Sequence, residues 1–219
     1  MLTIPLSKSS IVYELKDGLY INSTNRCTNS CTFCIRYYQR DFNKEYPLWM
    51  DREPSAAEIL AAVGDPKRFQ EVVFCGYGEP LIRLETVKEV ARAVKAKGGK
   101  VRVNTDGQAN LFHGRNIVPE LEGLIDTLSI SLNAQDAATF DKLCRSVYGL
   151  KAHPAVLEFG RASVGHFPRV LMTVVELPTV DIDACRKIAE SIGAEFVSRP
   201  FYTEEYKAPE AILNTSVSA

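Results

Sequence analysis

The sequence has little net charge, few histidines and no long apolar run, and each scarcity excludes a class of protein. With 26 basic against 27 acidic residues the formal charge is −1, so no global field draws the chain to a nucleic-acid polymer or an anionic membrane. No stretch approaches the roughly 18 consecutive apolar residues that a bilayer-spanning helix needs. The opening residues, MLTIPLSKSS, lack the apolar core of a signal peptide, and the expected setting is the reducing cytoplasm. No internal repeat, low-complexity segment or composition break marks a linker. What remains is 219 residues with 46% hydrophobic content, enough for one domain with a substantial core.

Apolar periodicity alternates between strand and helix. IVYEL and GLYIN flank Lys16-Asp17-Gly18, a hairpin signal in which Gly18 is expected to supply the permissive backbone. A helix follows Pro54-Ser55 (AAEILAAV), and EVVFC at 71–75 is too short for another. Leu84 to Lys97 places Leu84, Val87, Val90, Ala91 and Val94 on one helical face before Gly98-Gly99 stops it. KVRVNT reads as a strand, a short helix is expected near Arg115, and DTLSISL at 126–132 is the next strand. Helices at 136–144 and 154–164 precede RVLMTVV at 169–175; Asp181 caps a helix ended by Gly193, and AEFVSRP closes the series. Six strand–helix units imply parallel strands with right-handed crossovers, as an open doubly wound sheet or as a partial barrel. Pattern alone does not separate the two.

Three of the six cysteines fall within CTNSCTFC at residues 27–34, in the loop just past the first strand of the series, where α/β enzymes build their sites. In a reducing compartment, such packing points to thiolate ligands. A four-iron cluster held by Cys27, Cys31 and Cys34 keeps one iron open. Zinc is the rival, but a structural zinc needs a fourth Cys or His, and His113, His153 and His166 are scattered. Cys75, Cys144 and Cys185 lack ligand spacing; Cys144 and Cys185 read as apolar fillers of helices, and Cys75 as a buried strand end beside the segment at 76–80.

CTNSCTFC resembles the cysteine motif of the radical S-adenosylmethionine (SAM) superfamily. The resemblance implies one [4Fe-4S] cluster on Cys27, Cys31 and Cys34, whose open iron takes the amino and carboxylate groups of SAM. Reductive cleavage then gives a 5′-deoxyadenosyl radical that abstracts hydrogen from substrate. Further matches are expected to touch the cofactor: Phe33 near adenine; GYGEP at 76–80, with Tyr77 in place of a glycine, Gly78 near methionine and Glu79 on the amino group; Thr105 in NTDG, where Asp106 departs from asparagine; Ser131 and Asn133 in SISLN; and Arg145 on the carboxylate. The fold implied is a partial (β/α)6 barrel over 19–202, with an N-terminal hairpin extension at 1–18 and a frayed tail at 203–219.

LYINSTNRCTNSCTFCIRYYQRD, VRVNTDGQANLFHGRN and SISLNAQD also resemble the short TatD-associated radical SAM proteins, some of them linked to queuine salvage through a lyase acting on a nucleoside 5′-phosphate. Arg36, Arg40, Arg115 and Arg199 fall at loops or strand ends where a planar fork can grip phosphate. Gln108, Asn110 and His113 are a polar set for a base or ribose, and Tyr37, Tyr38 and Tyr202 can stack on it. Each also has an ordinary packing, capping or ion-pairing role open to it. The expected partners are a small phosphorylated nucleoside-like substrate, such as queuosine 5′-phosphate, and an electron donor such as flavodoxin or ferredoxin. A deazaguanine-forming synthase, a glycyl-radical activase and an iron–sulfur carrier or sensor are the competing readings, the activase being marked by an apolar patch around the cluster mouth.

Overall fold

The computed structural model describes residues 10–37, 41–42 and 45–201, so Tyr38, Arg40, Tyr202 and the expected tail lie outside the described residues. Strands β1 (Val12–Leu15) and β2 (Gly18–Ile21) form the anticipated antiparallel hairpin. Its tight turn is built differently from the expectation. Lys16 takes the left-handed backbone (φ 53°), while Gly18 is the first residue of β2. A two-stranded ribbon of β3 (Asp41–Phe42) and β4 (Tyr46–Pro47) was not foreseen, because two-residue strands carry no periodicity.

The remaining elements alternate. They are α1 (Ala56–Val63), β5 (Glu71–Phe74), α2 (Leu84–Ala96), β6 (Val101–Thr105), α3 (Ala109–His113), α4 (Val118–Leu121), β7 (Thr127–Ser131), α5 (Ala137–Cys144), α6 (Ala152–Ser163), β8 (Arg169–Glu176), α7 (Ile182–Ile192) and β9 (Glu195–Pro200). Local chemistry explains the boundaries. Ser55 and Glu58 cap α1 reciprocally, Asp136 and Asp181 accept amides at the starts of α5 and α7, and Gly193 ends α7 with φ 85°. The five apolar positions anticipated for α2 are its buried residues. Near Arg115, in place of one helix, α3 and α4 flank it, and Arg115 lies in the loop between them.

The strand order β1-β2-β5-β6-β7-β8-β9 runs without reversal, and every pair after the first hairpin is parallel. A doubly wound sheet reverses at a switch point, so this order excludes it and leaves the singly wound arrangement of a partial barrel. Among the described residues β9 pairs only with β8, and the sheet does not close on itself. Right-handed crossovers that advance in one direction put their helices on one face. Val72, Phe74, Val103, Leu128, Ile130 and Met172 lie in one buried cluster with the helix residues. Tyr20, Arg102, Asn104, Ser129, Ser131 and Thr173 alternate with them and face the other side. A smaller cluster of Tyr13, Leu48 and Tyr77 packs beside Tyr20, Phe42 and Tyr46.

Candidate active site

The loops leaving the C-terminal ends of β2, β5, β6 and the end of α5 meet at one place. After β2 the chain crosses from Asn22 to Tyr37, and other loops tie it down along its length. Asn25 exchanges two bonds with the Met50 backbone, its Nδ2 donating to the carbonyl at 2.6 Å and its Oδ1 accepting from the amide at 3.2 Å. The Ser30 and Thr32 amides donate to the Cys144 and Leu143 carbonyls at 2.9 and 2.8 Å, fastening the cysteine loop to the end of α5. The Arg36 guanidinium donates to the carbonyls of Asn25, Asn29 and Tyr77, bracing the same loop against residues 76–79.

The approach of the two loops explains a glycine. A Cβ on Gly78 would lie 2.4 Å from the carbonyl oxygens of both Thr24 and Arg26, closer than any side chain tolerates. The Glu79 amide then donates to the Arg26 carbonyl at 2.8 Å. Tyr77 fits where it stands because its side chain leaves this contact for the cluster with Tyr13 and Leu48.

Glu79 is buried and held by three donors. Leu81 N–H and Thr105 Oγ1–H reach Oε1 at 2.9 and 2.8 Å, and Asp106 N–H reaches Oε2 at 2.6 Å. Asp106 is buried beside it, accepting from Thr28 Oγ1, from the Gln108 amide at 3.0 Å and from Cys27 Sγ at 3.9 Å. Burial, and then the neighbouring Asp106, push the Glu79 carboxyl well above the usual range, and burial raises Asp106 too. Among the described residues neither carboxyl has a Lys, Arg or His partner within ion-pair distance.

The three thiols of the loop are half-buried. Burial, and then Asp106 and Glu79, raise Cys27; a hydrogen bond with Cys144, and then burial, raise Cys31; burial raises Cys34. Among the described residues no three Cys, His, Asp or Glu side chains point at a common metal position. The donor set fits a cluster nonetheless: three thiols on one short loop, with the Asn29 amide donating to Cys27 Sγ at 3.4 Å and one Arg36 nitrogen buried without a partner. Bound iron supplies the positive charge that keeps such buried sulfurs as thiolates. Cys144 lies beside Cys31 but is fully buried in the main core, as expected of an apolar filler.

Beside Cys27 opens a cavity of about 540 Å³ whose walls include Arg36, Tyr37, Trp49, Phe112 and Tyr148.

Residues 21–190, more than three quarters of the chain, match the family described as the Radical SAM superfamily. The chain belongs to this superfamily. It is therefore an enzyme domain of a family that uses SAM and an iron–sulfur cluster. Among solved structures, Streptococcus suis SuiB bound to its precursor peptide SuiA shares the fold with TM-score 0.64 and 16% identity, over 88% of this chain and 41% of SuiB. SuiB bound to S-adenosylmethionine gives 0.60 and 14%, over 86% of this chain and 41% of that one. Among curated relatives, a probable RNA methyltransferase of Ectopseudomonas mendocina (strain ymp) is 31% identical over 135 residues, 58% of this chain and 35% of its own length. Another from Stutzerimonas stutzeri (strain A1501) is 31% identical over 130 residues, 56% of this chain and 34% of its own length. This chain thus spans about a third of the length of the curated relatives.

Placed in the radical SAM fold, the anticipated residues divide. Cys27 and Thr105 touch the carboxyl pair, Gly78 sets Glu79 against the cysteine loop, and Cys31 and Cys34 lie further along that loop. Phe33 is half-buried against the main core, and Ser131 ends β7. Asn133, with φ 58°, turns its Nδ2 to Cys144 Sγ at 3.5 Å, and Arg145 is exposed in the left-handed turn that ends α5. Several polar candidates are spent internally. Gln108 joins Asn29 to Ser146; Asn110 pins Ile117 and Asn116; His113 meets the Leu81 carbonyl at 2.8 Å; Arg115 pairs with Glu120 at 2.8 Å. Arg199 is exposed near the end of β9, away from these contacts. Trp49 and Phe112 were not anticipated. The sole tryptophan beside two further aromatic stretches was the available signal.

Proposed function

We propose that residues 19–202 hold one [4Fe-4S] cluster on Cys27, Cys31 and Cys34 and bind SAM with its ammonium on Glu79. When bound, cluster and SAM together supply a 5′-deoxyadenosyl radical that takes a hydrogen atom from substrate. The observation that carries this reading is the contact between the two loops at Gly78, which sets an unneutralised buried carboxyl pair against the thiol-bearing loop.

This chain's residues position and shield. Glu79 orients the ammonium, while Thr105 holds Glu79 in place. Arg36 and Gln108 fasten the thiol loop. Phe33, Ser131, Asn133, Tyr77 and Arg145 are the remaining cofactor contacts of the proposal. The substrate is a small, phosphorylated, nucleoside-like molecule held in a cytoplasmic enzyme fed by flavodoxin or ferredoxin, with Arg36 and Tyr37 among its contacts. Two relatives named as RNA methyltransferases and an aromatic cavity beside Cys27 support a nucleotide-type substrate. Queuosine 5′-phosphate cleavage is the specific reaction to screen, followed by deazaguanine formation, for which magnesium dependence is the marker.

Exposed Trp49, Phe112 and Val147 also give the mouth an apolar rim, which favours a glycyl-radical partner protein as the second reading. Cavity size weighs the other way: about 540 Å³ suits a small ligand. Stable protein partners bury about 800 Å² on each side.

The test is anaerobic reconstitution with iron and sulfide, then reduction with SAM and assay of 5′-deoxyadenosine. Wild-type protein is expected to release it and Cys31→Ala to release none. A reconstituted wild-type cluster that releases none leaves an electron carrier or sensor.

A further inference from the structure

Eight large apolar side chains are exposed among the described residues, and four of them wall the cavity beside Cys27: Tyr37 (55% exposed), Trp49 (49%), Phe112 (40%) and Val147 (75%). With Tyr148, four aromatic rings reach this cavity from four separate segments: the turn after Cys34, the loop after β4, helix α3 and the loop after α5. No two of these four rings stack on each other; among the described residues Trp49 meets the buried Tyr77, at 6.2 Å, and Phe112 meets His113. Trp49 and Phe112 thus keep exposed ring surface at the cavity wall, and a site built for an aliphatic group has no need of four rings.

Charge narrows the ligand further. Arg26 and Arg36 both line the cavity, and the Arg36 guanidinium lies 4.9 Å from the centre of the Tyr37 ring. Glu53, the carboxylate that pairs with Arg26 at 2.7 Å, is shared with Arg83 at 3.3 Å. Arg26 and Arg83 thus share one carboxylate, and Arg36 brings a further guanidinium to the cavity wall. A planar π-system carrying negative charge is what such a wall complements.

We propose that the cavity is a nucleobase clamp, in which Trp49 and Phe112 stack on the planar base of an anionic nucleotide substrate. This rests on the nucleotide reading of the substrate and adds the residues that grip it. Stacking tolerates any base, because every base has a π-face, so a common nucleotide serves as the probe.

The experiment follows the fluorescence of Trp49, the only tryptophan in the chain. Reconstituted protein is saturated with S-adenosylhomocysteine to fill the cofactor site and titrated with GMP, ribose 5-phosphate and a pentaribonucleotide. GMP is expected to quench Trp49 saturably while ribose 5-phosphate does not, and Phe112→Ala is expected to weaken GMP about 5- to 100-fold. Tighter binding of the pentaribonucleotide than of GMP assigns the base to a strand, weaker binding to a free nucleotide, and either supports the clamp. No quenching by GMP at millimolar concentration overturns it, as does equal quenching by ribose 5-phosphate. GMP quenching that S-adenosylhomocysteine abolishes assigns the cavity to the cofactor's own adenosine and also overturns it. None of these results depends on 5′-deoxyadenosine release, so a failed clamp and a failed radical SAM reading are told apart.

Discussion

Replacing Glu79 with glutamine keeps the shape of the side chain and removes its charge. In the fold Glu79 accepts three hydrogen bonds while buried beside Asp106, with no cation to neutralise either acid among the described residues. If SAM presents its ammonium here, the substitution removes one partner of a buried charge pair, a loss of about 2 to 5 kcal/mol. That corresponds to an affinity for SAM about 30- to several thousand-fold weaker. Methylthioadenosine shares the adenosine but has no ammonium, so its affinity is expected to stay within about threefold. Equilibrium dialysis of both ligands against wild type and Glu79→Gln reads the difference without any turnover. Stability supplies an independent sign. Burial and Asp106 raise the Glu79 pKa in the folded state. A raised acid favours the fold when protonated, so its contribution is present below the unfolded value and is lost as pH rises through the folded value. Without SAM, the melting temperature of Glu79→Gln should therefore gain on wild type from pH 5 to pH 8. Equal loss of SAM and methylthioadenosine binding, or a gap that shrinks with rising pH, refutes the reasoning.

Gly78→Ala should lower iron retention after reconstitution and depress the melting temperature, because its Cβ meets two backbone carbonyls at 2.4 Å that cannot move without displacing the cysteine loop. Cys144→Ala separates a cluster from a four-thiolate zinc site: the account expects iron and sulfide content to persist in this variant and to be lost in Cys27→Ala. Phe74→Ala, fully buried on the helix-facing side of the sheet, should cost about 3 to 5 kcal/mol in urea unfolding, with little change in the m-value.

What the sequence made legible was local. Apolar spacing identified the five buried positions of α2, and the capping chemistry of Asp181 and Gly193 placed both ends of α7. The cysteine spacing and the order of GYGEP, NTDG and SISLN pointed to one end of the sheet, where the first two segments do meet. Relations between distant segments were not legible. Whether the sheet winds singly or doubly is a matter of strand order, which periodicity does not encode. The contact of Cys144 with Cys31, and of Asp106 with Cys27 and Thr28, joins residues some 80 to 110 positions apart. Polar side chains were the hardest to read: Gln108, Asn110 and Arg115 could equally serve a ligand or their own loops, and in the fold each is engaged by neighbours.

The central claim is that three cysteines leave one iron for SAM while Glu79 receives its ammonium. Electron paramagnetic resonance of the reduced, reconstituted protein tests this most directly. The account predicts a cluster spectrum that changes when SAM is added, does not change with methylthioadenosine, and responds only weakly to SAM in Glu79→Gln. A spectrum indifferent to SAM in the wild-type protein contradicts it.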